Sequence, residues 1–214
     1  MVINLPLAEL SVLGPLLWAS TAIWSGIEAT MVVRDIRAGI ATRANQDRGS
    51  GQKVVVAYAT AMGVALLCWR SLPGIALPGP FARSLPGLAL PGPVEVWAVV
   101  GICLMWLGFG LRLWAIHTLG KFFRLVVLIQ DDHALIQDGP YRWLRHPSYT
   151  GSLMTALGFG IALHNLGSVL AVLLIPLLGF VPRMNAEESA LLGSMGEPYQ
   201  RYLDRTKRLI PKVW

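Results

Sequence analysis

The sequence predicts an all-α integral membrane protein of about five transmembrane helices, with the N-terminus outside, the C-terminus cytoplasmic and short cytoplasmic helices at the C-terminal end. Three observations carry that expectation. Of 214 residues, 54% are hydrophobic and 14% charged, against about 25% charged in soluble domains. Five apolar runs approach the about 17 to 25 residues that a spanning helix needs. Lysine and arginine fall almost entirely on alternate connections between those runs. The chain reads as a single membrane domain, 1–214, with three helices in residues 1–116 and a polar segment followed by a helical hairpin in residues 117–214.

The first run extends from Leu7 to Val33, with Glu9 near its start and Glu28 near its end. The second, Val54 to Trp69, is bracketed by Lys53 and Arg70, and the third, Val94 to Ile116, carries Arg112 in its last turns. Between the second and third, SLPGIALPGP at Ser71 to Pro80 recurs as SLPGLALPGP at Ser84 to Pro93. Proline every few residues forbids regular helix, so residues 71–93 are expected to form an outer loop without a catalytic role. The fourth helix is expected to start at Pro147, whose fixed φ suits the first helical position, and to end near His164 and Asn165. The fifth is predicted over Ser168 to Pro182, bent at Pro176, the two forming a short hairpin. Beyond Pro182, Asn185 followed by Glu187 and Glu188 has the form of a new helix start. Gly196 then ends that helix, and Pro198 starts another with Tyr199, Tyr202 and Leu203 as its apolar stripe.

Orientation follows from the cations. Arg34, Arg37, Arg43, Arg48 and Lys53 fall on one connection, Lys121, Arg124, Arg142 and Arg145 on another, and Arg183, Arg201, Arg205, Lys207, Arg208 and Lys212 on the tail; Arg70 and Arg83 fall opposite. The positive-inside rule places the three rich segments in the cytoplasm. The formal charge of +6 therefore reports orientation and headgroup contact, and no nucleic-acid pattern accompanies it. Cys68 and Cys103 lie inside apolar runs and supply neither a disulfide framework nor metal-ligand spacing. MVINLPLAEL lacks a basic n-region, so no removable signal peptide is expected.

Candidate chemistry concentrates in Asp138 to Gly151, DGPYRWLRHPSYTG. A lone interfacial histidine is usually solvated or packed. His146, however, stands between Arg145 and Pro147, with Tyr141 and Tyr149 within a turn or two, a density of polar side chains that fits a small-molecule pocket. Glu187 and Glu188 serve a helix N-terminus if read alone, but the hairpin returns them to the side of His146. Arg183 is a snorkelling arginine unless the fifth helix continues, when it shares a face with Glu187. Glu28 and Arg112 sit near cytoplasmic helix ends, where charges need partners or water; they pair with each other or line a substrate path.

GPYRWLRHPSYTG, an apolar hairpin and EESALLGSMGEPYQRYLDRTKRLIP together resemble the isoprenylcysteine carboxyl methyltransferase family and its bacterial relatives. The resemblance covers Leu119 to Pro211; the first three helices share with the family only their apolar character. It implies an integral membrane methyltransferase that uses S-adenosyl-L-methionine, in a bacterial inner membrane with its site facing the cytoplasm. Carried onto matching positions, the HALI run (His133, Ala134, Leu135, Ile136) would hold the cofactor through backbone, with Gln130 contributing. Tyr141, His146, Pro147, Ser148 and Tyr149 would complete the pocket, and Glu187 would bind a polar end of the cofactor. Arg183 would be the catalytic residue on the substrate side, Glu28 and Arg112 further substrate-side candidates, and Glu188 and Arg208 would shape the pocket or its lid.

The chemistry fits the residue types. Methyl transfer from a sulfonium is mainly a positioning problem, and positioning supplies about 7 to 11 kcal/mol. A carboxylate acceptor is already ionised near neutral pH, so an arginine to orient it suffices. The acceptor enters from the bilayer: a prenylated substrate, another isoprenoid, a phospholipid amine or another lipophilic small molecule, with membrane lipid as neighbour and no nucleic acid. The alternatives are an NADPH-dependent membrane reductase of the sterol reductase type, which shares a similar RHP-Tyr hairpin, and a noncatalytic membrane scaffold or transporter.

Overall fold

The structure, a computed structural model, describes residues 12–37, 50–70, 89–123 and 135–214. Six α-helices lie among them: α1 (Leu13–Arg37), α2 (Ser50–Arg70), α3 (Val94–Leu119), α4 (Pro147–Ala162), α5 (Leu166–Met195) and α6 (Glu197–Arg205). Short 3-10 turns occupy Gly120–Phe122 and Gly139–Arg142. The all-helical expectation holds. Most of the duplicated Pro/Gly segment, together with Gln130, His133 and Ala134, falls outside the described residues.

Among the described residues three helices are long and apolar enough to cross a membrane, over Leu13–Asp35, Val94–Phe122 and Leu166–Met195, and Lys53–Trp69 is a shorter apolar helix. Helix α4, at 16 residues, is shorter still. It begins at Pro147 as expected, and the chain turns at His164, whose φ is +54°. Asn165 then caps α5, its side chain accepting the Ser168 N–H at 3.0 Å.

Helix α5 corrects the sequence reading. The expected fifth helix ending at Pro182 and the expected new helix starting at Asn185 are one continuous helix of 30 residues, with Pro176 and Pro182 inside it. A proline removes one backbone bond, but packing on both sides of Pro182 carries the helix through. Pro176, Gly179, Phe180, Arg183, Met184 and Glu188 are all buried, a helical stripe that crosses the proline without interruption. The hairpin therefore has one short arm and one long one. At the far end Gly196, with φ +61°, closes α5, and Pro198 lies in the first turn of α6, which buries Tyr199 and Tyr202.

Helices α3 and α4 approach backbone to backbone. A Cβ added at Gly101 would lie 2.4 Å from the Gly158 carbonyl oxygen, one at Gly158 2.4 Å from that of Gly101, and the Gly108–Gly151 pair is as close at 2.6 Å each way. Any side chain there would push the helices apart. Helix α2 meets α5 where a Cβ on Gly179 would touch Lys53 O at 3.0 Å. Helix α1 joins the bundle through rings instead: Trp18 to Trp69 at 5.8 Å, Trp18 to Phe159 at 6.2 Å and Trp24 to Tyr58 at 6.1 Å between centroids.

The tail returns from α6 to the start of α4. Leu144 and Lys207 form a parallel bridge, the Arg145 N–H donates to Lys207 O at 2.7 Å and the His146 N–H donates to Arg208 O at 3.1 Å. Thr150 Oγ1 donates to Leu209 O at 2.8 Å, and Leu209 packs into a cluster with Phe180 and Met184. Three separate stretches of sequence, 141–150, 183–188 and 202–209, thus meet at one end of the bundle.

Candidate active site

His146 is fixed from three sides. Pro147 begins α4 immediately after it, its own N–H is taken by Arg208 O, and its ring Nε2 lies 3.0 Å from Glu188 Oε1. A carboxylate only accepts, so the hydrogen of that bond sits on Nε2. The imidazole stacks on Tyr149, centroids 5.4 Å apart and planes within 12°, and Tyr149 stacks in turn on Phe180 at 4.6 Å.

Tyr149 joins the two halves of the site. Its hydroxyl accepts from Arg183 Nε at 2.6 Å and donates to Glu187 Oε2 at 3.0 Å. Because α5 continues through Pro182, Arg183 and Glu187 stand one turn apart on the same face, so one phenol reaches both. Arg183 is buried, whereas the Glu187 side chain is 31% exposed. Among the described residues, Glu187 Oε1 has no hydrogen-bond partner.

Glu188 has the opposite environment to its neighbour. It is buried and receives Arg145 Nε at 2.8 Å, His146 Nε2 at 3.0 Å and Arg208 Nη2 at 2.6 Å. Two guanidinium groups and an imidazole N–H on one buried carboxylate form a structural knot, since a buried charge persists when paired and hydrogen-bonded. Arg145 extends the knot: its Nη1 donates to Leu203 O at 2.9 Å and Thr206 O at 2.7 Å, satisfying carbonyls at the C-terminal end of α6.

The remaining expected residues divide. Tyr141 and Pro147 are buried against the site; burial foremost, and then the Glu187 charge, raises the Tyr141 phenol well above its ordinary pKa, so it stays protonated. Burial raises the Tyr202 phenol too, although Arg145 opposes it. Tyr202 accordingly acts as donor, to Tyr141 O at 2.8 Å and Leu144 O at 3.2 Å. Ser148 turns toward Arg112 instead, whose Nη1 donates to Ser148 Oγ at 2.7 Å and Ser148 O at 3.3 Å. Glu28 and Arg112 pair directly, through Arg112 Nε to Glu28 Oε1 and Nη2 to Oε2, the latter at 2.7 Å. This bidentate pair with its Ser148 contact ties α1, α3 and α4 together. Leu135 and Ile136 are half-buried, and among the described residues no hydrogen bond engages their backbone. Gln130, His133 and Ala134 lie outside the described residues.

Sequence reasoning missed the role of Arg145, which stood out only as the neighbour of His146; the Ser148 hydroxyl, expected to complete the pocket, accepts from Arg112. The spacing of Arg183 and Glu187 was the one signal for a continuous α5.

Comparison with known proteins bears on the same stretches. Residues 99–193 match the model of the isoprenylcysteine carboxyl methyltransferase (ICMT) family. The chain is 37% identical over 116 residues to a protein-S-isoprenylcysteine O-methyltransferase of Tribolium castaneum, covering 53% of this chain and 41% of that one. It is 34% identical over 123 residues to a probable protein-S-isoprenylcysteine O-methyltransferase of Oryza sativa subsp. indica, covering 56% and 64%, and 33% identical over 118 residues to the Homo sapiens protein-S-isoprenylcysteine O-methyltransferase, covering 54% and 42%. The solved structure of the eukaryotic intramembrane Ras methyltransferase ICMT superimposes with a TM-score of 0.55 at 28% identity, over 74% of this chain and 52% of that one. The chain thus spans about half the length of the curated relatives it matches. The family match begins at residue 99, inside α3, and so reaches further toward the N-terminus than the motifs after Leu119 indicated; Arg112 falls within it. The part of the chain similar to the isoprenylcysteine carboxyl methyltransferase family, residues 99–193, thus holds most of α3, all of α4 and nearly all of α5.

Proposed function

We propose that the protein is an S-adenosylmethionine-dependent methyltransferase acting on a lipophilic acceptor, with the carboxylate of an isoprenylcysteine-like molecule as the acceptor chemistry its arginines fit. The site faces the cytoplasm, in a bacterial inner membrane. The observation that carries this reading is the Tyr149 hydroxyl bound at once to Arg183 and Glu187, at the boundary between a polar segment and an apolar bundle.

The residues present fit the cofactor. Its amino-acid end carries an ammonium, and Glu187 offers a half-exposed carboxylate whose Oε1 is unpartnered among the described residues. Its adenosine end carries donors and acceptors, and the backbone of Leu135 and Ile136 has hydrogen-bonding groups to offer; Gln130, His133 and Ala134 are further candidates by the resemblance. Tyr141, His146, Pro147 and Tyr149 form the wall, with Ser148 holding Arg112 behind it. When bound, S-adenosylmethionine supplies an electrophilic methyl on a sulfonium.

The chain's own residues then have a positioning task. A carboxylate acceptor is ionised near neutral pH, so no group has to remove a proton from it. Arg183, oriented by Tyr149, aligns that carboxylate as the catalytic residue, and burial strengthens the attraction by excluding water. The Glu28–Arg112 pair stands on the substrate side, with Glu28 the partly exposed member at 29%. The acceptor's apolar body reaches the site through the bilayer.

Equilibrium binding of radiolabelled S-adenosylmethionine to detergent-solubilised protein tests the reading. His146→Ala and Glu187→Ala are expected to abolish binding while the protein stays folded. Arg183→Ala is expected to keep affinity within about threefold while turnover falls about 100-fold, the scale of a lost positioning contact. Binding of NADPH with no binding of S-adenosylmethionine would sink the proposal.

A further inference from the structure

The tail beyond α6 carries a surface that the proposed chemistry does not use. Ile210, Val213 and Trp214 are 51%, 71% and 41% exposed, gathered by a turn in which the Val213 and Trp214 N–H groups both donate to Ile210 O at 3.1 Å. Trp143, 54% exposed, lies beside Lys207 at the start of this segment, where the Lys207 N–H donates to Trp143 O at 3.2 Å. From Arg205 to Trp214 the chain has four cations, Arg205, Lys207, Arg208 and Lys212, and no acid. Arg208 is committed to Glu188; Arg205, Lys207 and Lys212 are exposed, as is Arg142, whose guanidinium lies 5.8 Å from the Trp143 ring centroid.

The depth of this surface is fixed by Leu209. That residue is buried with Phe180 and Met184 of α5, in a cluster that includes Val54 and Val181. Val54 is where the apolar run of α2 starts, after the exposed Lys53, and the Lys53–Val54 backbone lies against Gly179. The next residue after Leu209 is the first of the exposed apolar ones. Ile210, Val213 and Trp214 therefore project at the level where the bundle changes from polar to apolar, the depth at which tryptophan and aliphatic side chains enter the headgroup layer while lysines stay outside it.

We propose that the turn at Ile210–Trp214, with Trp143, Lys207 and Lys212, is a docking surface for anionic lipid headgroups of the protein's own bilayer. The apolar side chains enter the boundary of the acyl region, and the lysines select negative charge above it. Because the adjoining main chain pairs with Arg145 and His146, this contact anchors the same segment that closes the candidate active site.

Tryptophan fluorescence of the reconstituted full chain tests the proposal, with brominated phosphatidylcholine or brominated phosphatidylglycerol at equal mole fraction as quencher. The chain has 8 tryptophans, so the Trp214 signal is taken as wild type minus Trp214→Phe. That difference is expected to be quenched by both lipids, and about twofold or more strongly by phosphatidylglycerol. The double variant Lys207→Gln and Lys212→Gln should keep the quenching and lose the preference. A second measurement needs no tryptophan variant: wild-type thermal unfolding should rise with phosphatidylglycerol content, and that rise should vanish in the double lysine variant. Equal quenching by the two lipids, or a thermal transition indifferent to phosphatidylglycerol, would overturn the charge selection. An unquenched Trp214 signal, whether the turn faces water or crosslinks to a second copy, would overturn the docking itself.

Discussion

The α3–α4 pair and the α1–α2 pair are held together by opposite means. Between α3 and α4, four glycines let the backbones touch, so the pair has a single distance of approach. Between α1 and α2, the bulky rings of Trp18, Trp24, Tyr58 and Trp69 meet edge to face, and Trp24 Nε1 and Tyr58 Oη are buried without hydrogen-bond partners among the described residues. Backbone contact leaves nothing to adjust, whereas rings can shift and repack. Every residue of the His146 network is carried by α4, the short segment leading into it, α5 or the tail, and the α3–α4 contact is its foundation. Rigidity is thus placed under the site, while the ring-packed pair stands beside it.

The largest expected effect comes from breaking the rigid pair. In Gly158→Leu the new Cβ would meet Gly101 O at 2.4 Å and Met105 N at 2.5 Å, backbone atoms that cannot rotate away. Destabilisation of about 3 kcal/mol or more is expected, at the upper end for overpacking, which lowers Tm by about 6 to 12 °C in a chain of this size. Thermal unfolding in detergent measures it; a shift under about 2 °C would show that the helices separate without cost.

A smaller effect is expected where the site rests on that foundation. Tyr149→Phe keeps the stack between His146 and Phe180 but removes the hydroxyl shared by Arg183 and Glu187. Each lost bond to a charged group is worth about 1.5 to 3 kcal/mol, so methyl transfer should fall about 10- to 100-fold. Turnover measured beside Tm separates the two roles: equal losses in Gly158→Leu and Tyr149→Phe would make the hydroxyl merely structural.

The smallest effect belongs to the ring-packed pair. Trp24→Phe retains an aromatic contact with Tyr58 and removes a buried N–H that has no partner, two changes that offset each other. Stability should stay within about 1 kcal/mol of wild type. A loss as large as that of Gly158→Leu, in the same unfolding experiment, would erase the contrast between the two pairs.

What the sequence showed and hid follows from which forces are local. Helix existence was legible because apolar runs, Pro147 at a first turn, and Gly196 and Pro198 at the α5–α6 boundary are local chemistry. The fusion of two expected helices into α5 was not, because Pro182 is a local breaker overruled by burial of Phe180, Arg183, Met184 and Glu188. At the candidate site, His146, Tyr149 and Glu187, which the structure brings together, were singled out through residue type and motif. The Glu188 knot was hidden, since its partners Arg145, His146 and Arg208 lie 43, 42 and 20 positions away in the chain. Pairing of Glu28 with Arg112, left open against a substrate-lining role, joins residues 84 apart. Neighbouring carboxylates in one motif thus have unlike roles: Glu187 turns to an open edge, Glu188 to a closed knot.

The unbroken α5 also acts as a ruler. From Leu166 to Arg183 the rise is about 26 Å at 1.5 Å per residue, a few ångströms less than a hydrocarbon layer of about 30 Å. A rod of that length, with no hinge at Pro182, fixes the height of Arg183 and, one turn on, Glu187 relative to the far end of the bundle. For the lipid-borne acceptor proposed above, the length of that rod would set the depth at which it meets the guanidinium.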